Sequence, residues 1–386
     1  MSGPLDVPLD ALRRRRSAKW TTYPADVLPM HVAELDVPLA APVAAALREA
    51  VDLGDTGYAG DVGDLLTAFA GFARRRWSWT VAPERVVTCA DVAAGITETL
   101  RLLVAPGDAV VLMPPVYPPF WRWLSTVGAR PVEVPLRDHP DGGELDLAGI
   151  EAALAAGARV VLLCHPHNPT GRVHPPGDLA ALAELAARHE ATVLSDEIHA
   201  PLTLPGHEFV PYLTVSAQAA ATGLAFHSAS KAWNVAGLKC ALAVAAAPGP
   251  QALLDRLPHE IRWGAGHLGV IAATAAYDHG DPWLDDLRQG LAANVADLAA
   301  LLPEALPAVA FTPPQAGYLA WLDCRGLGLG DAPAAALRER ARVACVEGTN
   351  FGCCGAGFVR LNLGCSPQLL RTAVRRMAQG QPTTTR

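Results

Sequence analysis

Residues 225–239 read Ala225-Phe-His-Ser-Ala-Ser-Lys231-Ala-Trp-Asn-Val-Ala-Gly-Leu-Lys239. A short apolar strand runs into two serines and a lysine. Of 31 lysines and arginines in the chain, only Lys19, Lys231 and Lys239 are lysine. Arginine stays protonated and cannot supply a nucleophilic amine. A lysine that survives such a bias therefore invites a chemical reading.

Working outward, the same pattern recurs. Arg159-Val-Val-Leu-Leu-Cys164 is followed by His165-Pro-His-Asn168-Pro-Thr-Gly171, and Thr192-Val-Leu-Ser195 by Asp196-Glu-Ile-His199. Further apolar runs lie at Arg85–Cys89, Ala109–Met113, Val132–Val134 and Ala241–Val244, with helical patterns at 41–51, 64–77, 93–104 and 150–156. Strands alternating with helices imply an α/β fold, a mostly parallel sheet covered on both faces. Ligands of such sheets bind beyond the carboxyl ends of the strands. An amide, a carboxylate and a lysine stand at three such ends, and in this sheet they can converge on one crevice.

That trio suits pyridoxal 5'-phosphate (PLP). A lysine amine condenses with the aldehyde, an anionic carboxylate keeps the pyridine nitrogen protonated, and an amide can bond the phenolate oxygen. The phosphate needs helix N-terminal N–H groups, hydroxyls and a cation. Ala90, Asp91 and Val92 open a helix after the Arg85–Cys89 strand, and Ser228, Ser230 and Lys239 supply the rest. Tyr117, in Pro115-Val-Tyr-Pro-Pro, is placed to cover one face of the ring. Each residue also has an ordinary reading: Asp196 as a helix N-cap, Asn168 as a turn residue, Tyr117 as core, His31 and His199 as core or helix-end histidines.

In order along the chain, Gly57-Tyr58, Pro115-Val-Tyr117, His167-Asn-Pro-Thr-Gly171, Ser195-Asp-Glu-Ile-His199, Ser228-Ala-Ser-Lys231 and Phe358-Val-Arg360-Leu-Asn362 resemble the fold-type I PLP enzymes, the aspartate-aminotransferase superfamily. The resemblance implies a seven-stranded-type sheet in a large domain beside a smaller α+β domain. It makes Lys231 the Schiff-base lysine, Asp196 the pyridinium partner, Asn168 the phenolate donor, Tyr117 the stacking ring and Arg360 the substrate-carboxylate clamp. His199 joins the cofactor site, with Tyr117 and Asn168 also near the substrate. Tyr58 would reach the phosphate in a neighbouring subunit, which implies a homodimer with shared sites. Lys19-Trp20, Leu28-Pro-Met30-His31-Val-Ala-Glu34-Leu-Asp36, Pro166-His-Asn-Pro-Thr-Gly-Arg172 and Asp196-Glu-Ile-His199 are most similar to the cystathionine β-lyase (cysteine-S-conjugate β-lyase) branch. That branch usually has Trp at the place of His31 and Asp at the place of Glu34.

The expected activity is cleavage of cystathionine or a related S-substituted cysteine to thiol, pyruvate and ammonia, through an external aldimine and an α-carbanion. The same residues serve an aminotransferase passing its amino group to a 2-oxo acid. A non-catalytic regulator that keeps the fold is the third reading, disfavoured by the intact Lys231, Asp196 and Asn168.

Composition sets the frame. With 386 residues, 51% of them hydrophobic, the chain has material for two domains with packed cores. Residues 1–40 read as an arm of the small domain, 41–268 as the large PLP domain and 269–386 as the small C-terminal domain, the last with helical patterns at 268–277, 281–302 and 334–342 and strands at 318–322 and 358–362. A net charge of −7 argues against nucleic acid or an anionic membrane as partner. No apolar run is long enough for a membrane span, and no signal-peptide pattern follows the basic run Arg13–Arg16, so the cytoplasm is expected. The eight cysteines lack metal-site spacing, and Cys353-Cys354 reads as two buried small residues. His165, His167 and His174 lack a placed carboxylate or thiolate, so no metal is expected.

Overall fold

The computed structural model describes residues 3–380, leaving the first two positions of the expected arm and the last six of the small domain outside it. The arm is less irregular than expected. It forms short helices at Leu9–Leu12 and Ala18–Thr21 before a two-residue strand, β1 (Leu28–Pro29).

The large sheet has seven strands: β2 (Val86–Cys89), β3 (Ala109–Leu112), β4 (Arg130–Glu133), β5 (Val160–Cys164), β6 (Thr192–Asp196), β7 (Gly223–His227) and β8 (Ala241–Ala245). Their order is β2-β8-β7-β6-β5-β3-β4, and only β8 runs against its neighbours. Every residue of β2, β5, β7 and β8 is buried. Continuous apolar runs of this kind suit strands with helices on both faces.

Register sets the rim where the site forms. Cys164 pairs with Asp196, and Asp196 with Phe226, so the segments leaving β5, β6 and β7 depart at one level. Because β8 is antiparallel to both β2 and β7, the end of β2 points to the same rim. For the same reason β8 begins there, just after Lys239.

A second sheet, in the order β12-β13-β10-β9, is antiparallel: β9 (Ala310–Phe311), β10 (Leu319–Asp323), β12 (Val346–Glu347) and β13 (Phe358–Asn362). The intervening β11 (Val343–Ala344) pairs in parallel with β1, tying the arm to this part of the chain. The 25-residue helix Asp281–Ala305 packs on the closing helix Pro367–Gln379. The helix His267–His279 packs on Ala41–Asp52 and Gly63–Trp77. The expected boundary at 268 therefore cuts into a helix whose apolar side faces the large domain. In place of a regular helix at 334–342 there is an α-turn, Pro333–Ala336, running into a π-helical turn, Leu337–Ala341.

Behind the β7 rim lies an aromatic cluster. Phe72, Trp233 and Tyr277 sit with ring centroids 5.2–5.6 Å apart, all fully buried. Trp233 follows Lys231 by two residues, so this packing anchors the segment that carries the lysine.

Candidate active site

The rim segments enclose a cavity of about 220 Å³ lined by Asp91, Val92, Tyr117, Asn168, Asp196, His199, Ser230, Lys231 and Lys239, together with Ala33, Ala93, Trp123, Cys164, Ile198 and Ala236. Nine residues singled out in the sequence thus meet in one space.

Lys231 is half-buried, and its Nζ donates to the Ala33 carbonyl at 3.1 Å. Burial, aided by the Arg360 charge, lowers its pKa to about 8, while Asp196 and Glu34 pull the other way. At the tip of β6, Asp196 accepts from the Ile198 N–H at 3.2 Å. Burial raises its carboxyl to about 7, partly offset by that hydrogen bond and by Lys231. Because side chains alternate along a strand, its neighbour Glu197 enters a separate buried network. There it accepts from Ser195 Oγ (3.0 Å) and Tyr212 N–H (2.9 Å), and its other oxygen lies 3.2 Å from His227 Nε2.

Asn168 leaves β5 through the turn that ends at Gly171. Its backbone N–H points to Cys164 Sγ, and its Oδ1 accepts from Arg360 Nη1 at 3.2 Å. Arg360, on β13, also donates from Nη2 to the His31 carbonyl at 3.1 Å, and its guanidinium lies 5.2 Å over the Phe351 ring. Its Nε is buried with no partner. Burial lowers this guanidinium to about 10, with Tyr117 and Tyr318 acting in the opposite sense. A donor in that state is costly unless an acceptor arrives, and a carboxylate is the acceptor a guanidinium fork fits.

Asp91 caps the helix Val92–Leu103 through the Ala94 N–H at 2.8 Å, and its other oxygen takes Lys239 Nζ at 2.8 Å. Burial works against the Asp91 charge, but these bonds outweigh it and hold the carboxyl below its usual range. Lys239 is therefore engaged with Asp91. Ser230 lines the cavity; Ser228 does not. The Ser228 hydroxyl donates to the Cys240 carbonyl at 2.6 Å, receives the Ser230 N–H, and lies 2.7 Å from Ser230 Oγ, so it orients Ser230. Ala90 precedes the cap without lining the cavity. Tyr117 packs edge-on against Phe120 and Trp123. His199, held uncharged by burial with a pKa of about 3, packs edge-on to Tyr318 and has an unpartnered Nδ1. Tyr58 stands 94% exposed on its loop, away from this chain's own cavity.

Tyr318, whose hydroxyl donates to the Ala33 carbonyl at 2.8 Å, Ala33 itself and Ala93 in the cavity wall were not singled out in the sequence. A phenol heading an apolar strand is a signal for the first; a backbone carbonyl leaves none. Cys353 and Cys354 are exposed, not buried, because they project on a glycine-rich loop where Gly352 takes φ +103°. Partial loss of water around its sulfur, with Cys354 and Glu133 beside it, raises the Cys353 thiol to about 12. His174 Nε2 lies 3.3 Å from His167 Nδ1, and His167 Nε2 lies 2.8 Å from the Pro115 carbonyl. Among the described residues no group of three or more His, Cys, Asp and Glu is placed to hold a metal.

The donor set fits the cofactor inferred from the sequence. A buried carboxylate has one oxygen left for a protonated ring nitrogen, an amine of lowered pKa stands across the cavity, and helix N–H groups with a serine form an anion cradle.

The family model for aminotransferase class I and II matches residues 30–377. A Mycobacterium leprae (strain TN) protein provisionally named cystathionine beta-lyase is 43% identical over 98% of both chains. The cystathionine beta-lyase of Corynebacterium glutamicum is 37% identical over 96% of this chain and 98% of its own. A crystal structure from Corynebacterium diphtheriae, provisionally described as a PLP-dependent beta-cystathionase, superposes with a TM-score of 0.92 at 36% identity, covering 97% of this chain and 98% of the other. The rim geometry and the near-complete match agree: the chain belongs to the aminotransferase class I and II family.

Proposed function

We infer that this protein is a PLP-dependent carbon–sulfur β-lyase acting on cystathionine or a related S-substituted cysteine. The observation that carries the reading is the meeting of Lys231, Asp196 and Asn168 at one rim, with the unpartnered Arg360 Nε beside them. The choice of β-elimination over amino transfer rests on the names of the similar proteins, since the site residues suit either outcome.

Asp196 would hold the ring nitrogen of PLP, Asn168 the phenolate oxygen, Tyr117 the ring face, and Val92, Ala93 and Ser230 the phosphate. When bound, PLP supplies an electron sink for negative charge at the substrate Cα. Arg360 clamps the α-carboxylate and so aims the Cα–H bond. Lys231, as the neutral amine, takes that proton on Nζ. The Ala33 carbonyl and the Tyr318 hydroxyl beside it keep the amine in place. Loss of the β-sulfur as thiol, followed by hydrolysis, gives the balance of one thiol, one pyruvate and one ammonia per substrate and water.

The working unit is a homodimer. Supporting this, Val51, Leu53, Tyr58 and Trp263 are large apolar side chains left exposed. The segment after Leu53 is tied to the segment after Trp263, since His267 Nε2 lies 3.0 Å from Asp55. We place the enzyme in the cytoplasm, in keeping with eight free cysteines. Among the described residues no helix is long and apolar enough to cross a membrane.

Holoenzyme incubated with L-cystathionine should release thiol, pyruvate and ammonia in equal amounts. Amination of an added 2-oxo acid without pyruvate would replace the lyase with an aminotransferase.

A further inference from the structure

The segment His31–Leu35 contributes Ala33 to the cavity wall, and every one of its backbone carbonyls is engaged by a side chain. His31 O accepts from Arg360, Val32 O from Asn362, and Ala33 O from Lys231 and Tyr318. Glu34 O accepts from Lys19 and Asn362, and Leu35 O from Arg15 and Asn234. Five consecutive carbonyls held in this way fix where the side chains between them stand.

Glu34 is the exception to that saturation. Its backbone is pinned on both sides, yet its half-buried carboxylate makes no hydrogen bond or ion pair among the described residues. The cations around it are committed elsewhere. Lys19 is paired with Asp36 at 2.9 Å, Arg360 is bonded to Asn168 and His31 O, and burial keeps His31 uncharged. The remaining one, Lys231, is the reacting amine. Glu34 directly follows Ala33, which lines the cavity and whose carbonyl takes both Lys231 Nζ and the Tyr318 hydroxyl, so the Glu34 carboxylate stands next to the cavity wall and its charge acts on both groups. A rigidly mounted carboxylate without a cation is a receptor for one.

We propose that Glu34 is a specificity-determining residue that binds a second ammonium group, carried on the far side of the substrate sulfur. The preferred substrates are then cysteines whose sulfur bears another amino-acid head group, over those with a neutral alkyl tail. The inference rests on the β-lyase reading and adds to it the residue that chooses among β-lyase substrates.

The test compares L-cystathionine with S-propyl-L-cysteine on the holoenzyme, in the native chain, Glu34→Gln and Glu34→Asp. The expected result is that Glu34→Gln lowers the ratio of the two kcat/KM values about tenfold, chiefly through KM for cystathionine. Glu34→Asp should keep more of the ratio, and all three proteins should share the same PLP absorbance. An unchanged ratio in Glu34→Gln, with both substrates falling together or neither falling, overturns the proposal. If the native enzyme cleaves neither compound, the β-lyase reading is what fails, and calorimetric binding of the same two compounds decides Glu34. Tighter binding of cystathionine that is lost in Glu34→Gln supports the role; a preference that survives the substitution, or is absent from the start, refutes it.

Discussion

Of the three lysines, Lys231 occupies a place that arginine cannot fill. Lys231 must lose a proton to act, and burial brings that loss down to about pH 8. The neutral amine is a minority below that pH and predominates above it, so covalent capture of PLP by the apoprotein should accelerate about eight- to tenfold between pH 7 and pH 9. Absorbance stopped-flow measures this, and Lys231→Ala should show no borohydride-reducible adduct at any pH. Lys19 lies with Asp36 in an ion pair whose side chains are both fully buried, and Trp20 Nε1 also donates to Asp36. Removing one partner of such a pair strands the other charge. Lys19→Met should therefore cost about 3–5 kcal/mol in urea unfolding. Both lysines were conspicuous in the sequence, but only Lys231 came with a readable environment. The partner of Lys19 is seventeen residues away, across a turn whose path no local pattern specifies. Ser228 shows the converse: its neighbourhood pointed to the cofactor, while β8 places the Cys240 carbonyl within reach of its hydroxyl.

At the scale of elements, the turn after β5 joins the two halves of the site. Gly171 takes φ +72°, and its carbonyl receives the Gln315 and Ala316 N–H groups. A Cβ there would stand 2.3 Å from Pro314 Cβ and 2.9 Å from the Ala316 carbonyl. Gly171→Ala should destabilise by more than about 1 kcal/mol and raise KM, because the turn carries Asn168 and hence the Arg360 contact. Thermal unfolding together with steady-state kinetics separates the two effects. The large-sheet strands were legible because continuous burial writes apolar runs into β5, β7 and β8. β4 was harder to place. It is an edge strand with exposed Arg130, Pro131 and Glu133, so its first half carries no apolar signal. The reversed direction of β8 was not legible at all, since a strand buried on both faces looks alike read either way. The glycine-rich loop with Cys353-Cys354 misled for a related reason: small apolar residues suit a core, and only Gly352 and its positive φ turn them outward.

For the whole molecule, shared sites have a consequence that mixing can reveal. In the proposed dimer, Tyr58 of one subunit serves the Lys231 of the other. Lys231→Ala and Tyr58→Ala proteins should each be impaired alone. Dissociated and re-formed in equal amounts, they should regain roughly a quarter of native activity, since half the dimers then contain one intact site. No recovery on mixing would leave Tyr58 serving its own chain or none. The wide spacing of the site in sequence also bears on how the enzyme comes into being. The Ala33 carbonyl receives a lysine at 231 and a tyrosine at 318, and the clamp waits for Arg360. A ribosome adding about 5–20 residues per second needs many seconds to pass from the lysine to the arginine. During that interval the nascent chain carries its reactive amine without the walls that enclose it. PLP capture in the finished geometry accordingly waits until Tyr318 and Arg360 have been made and have folded onto the segment around Ala33.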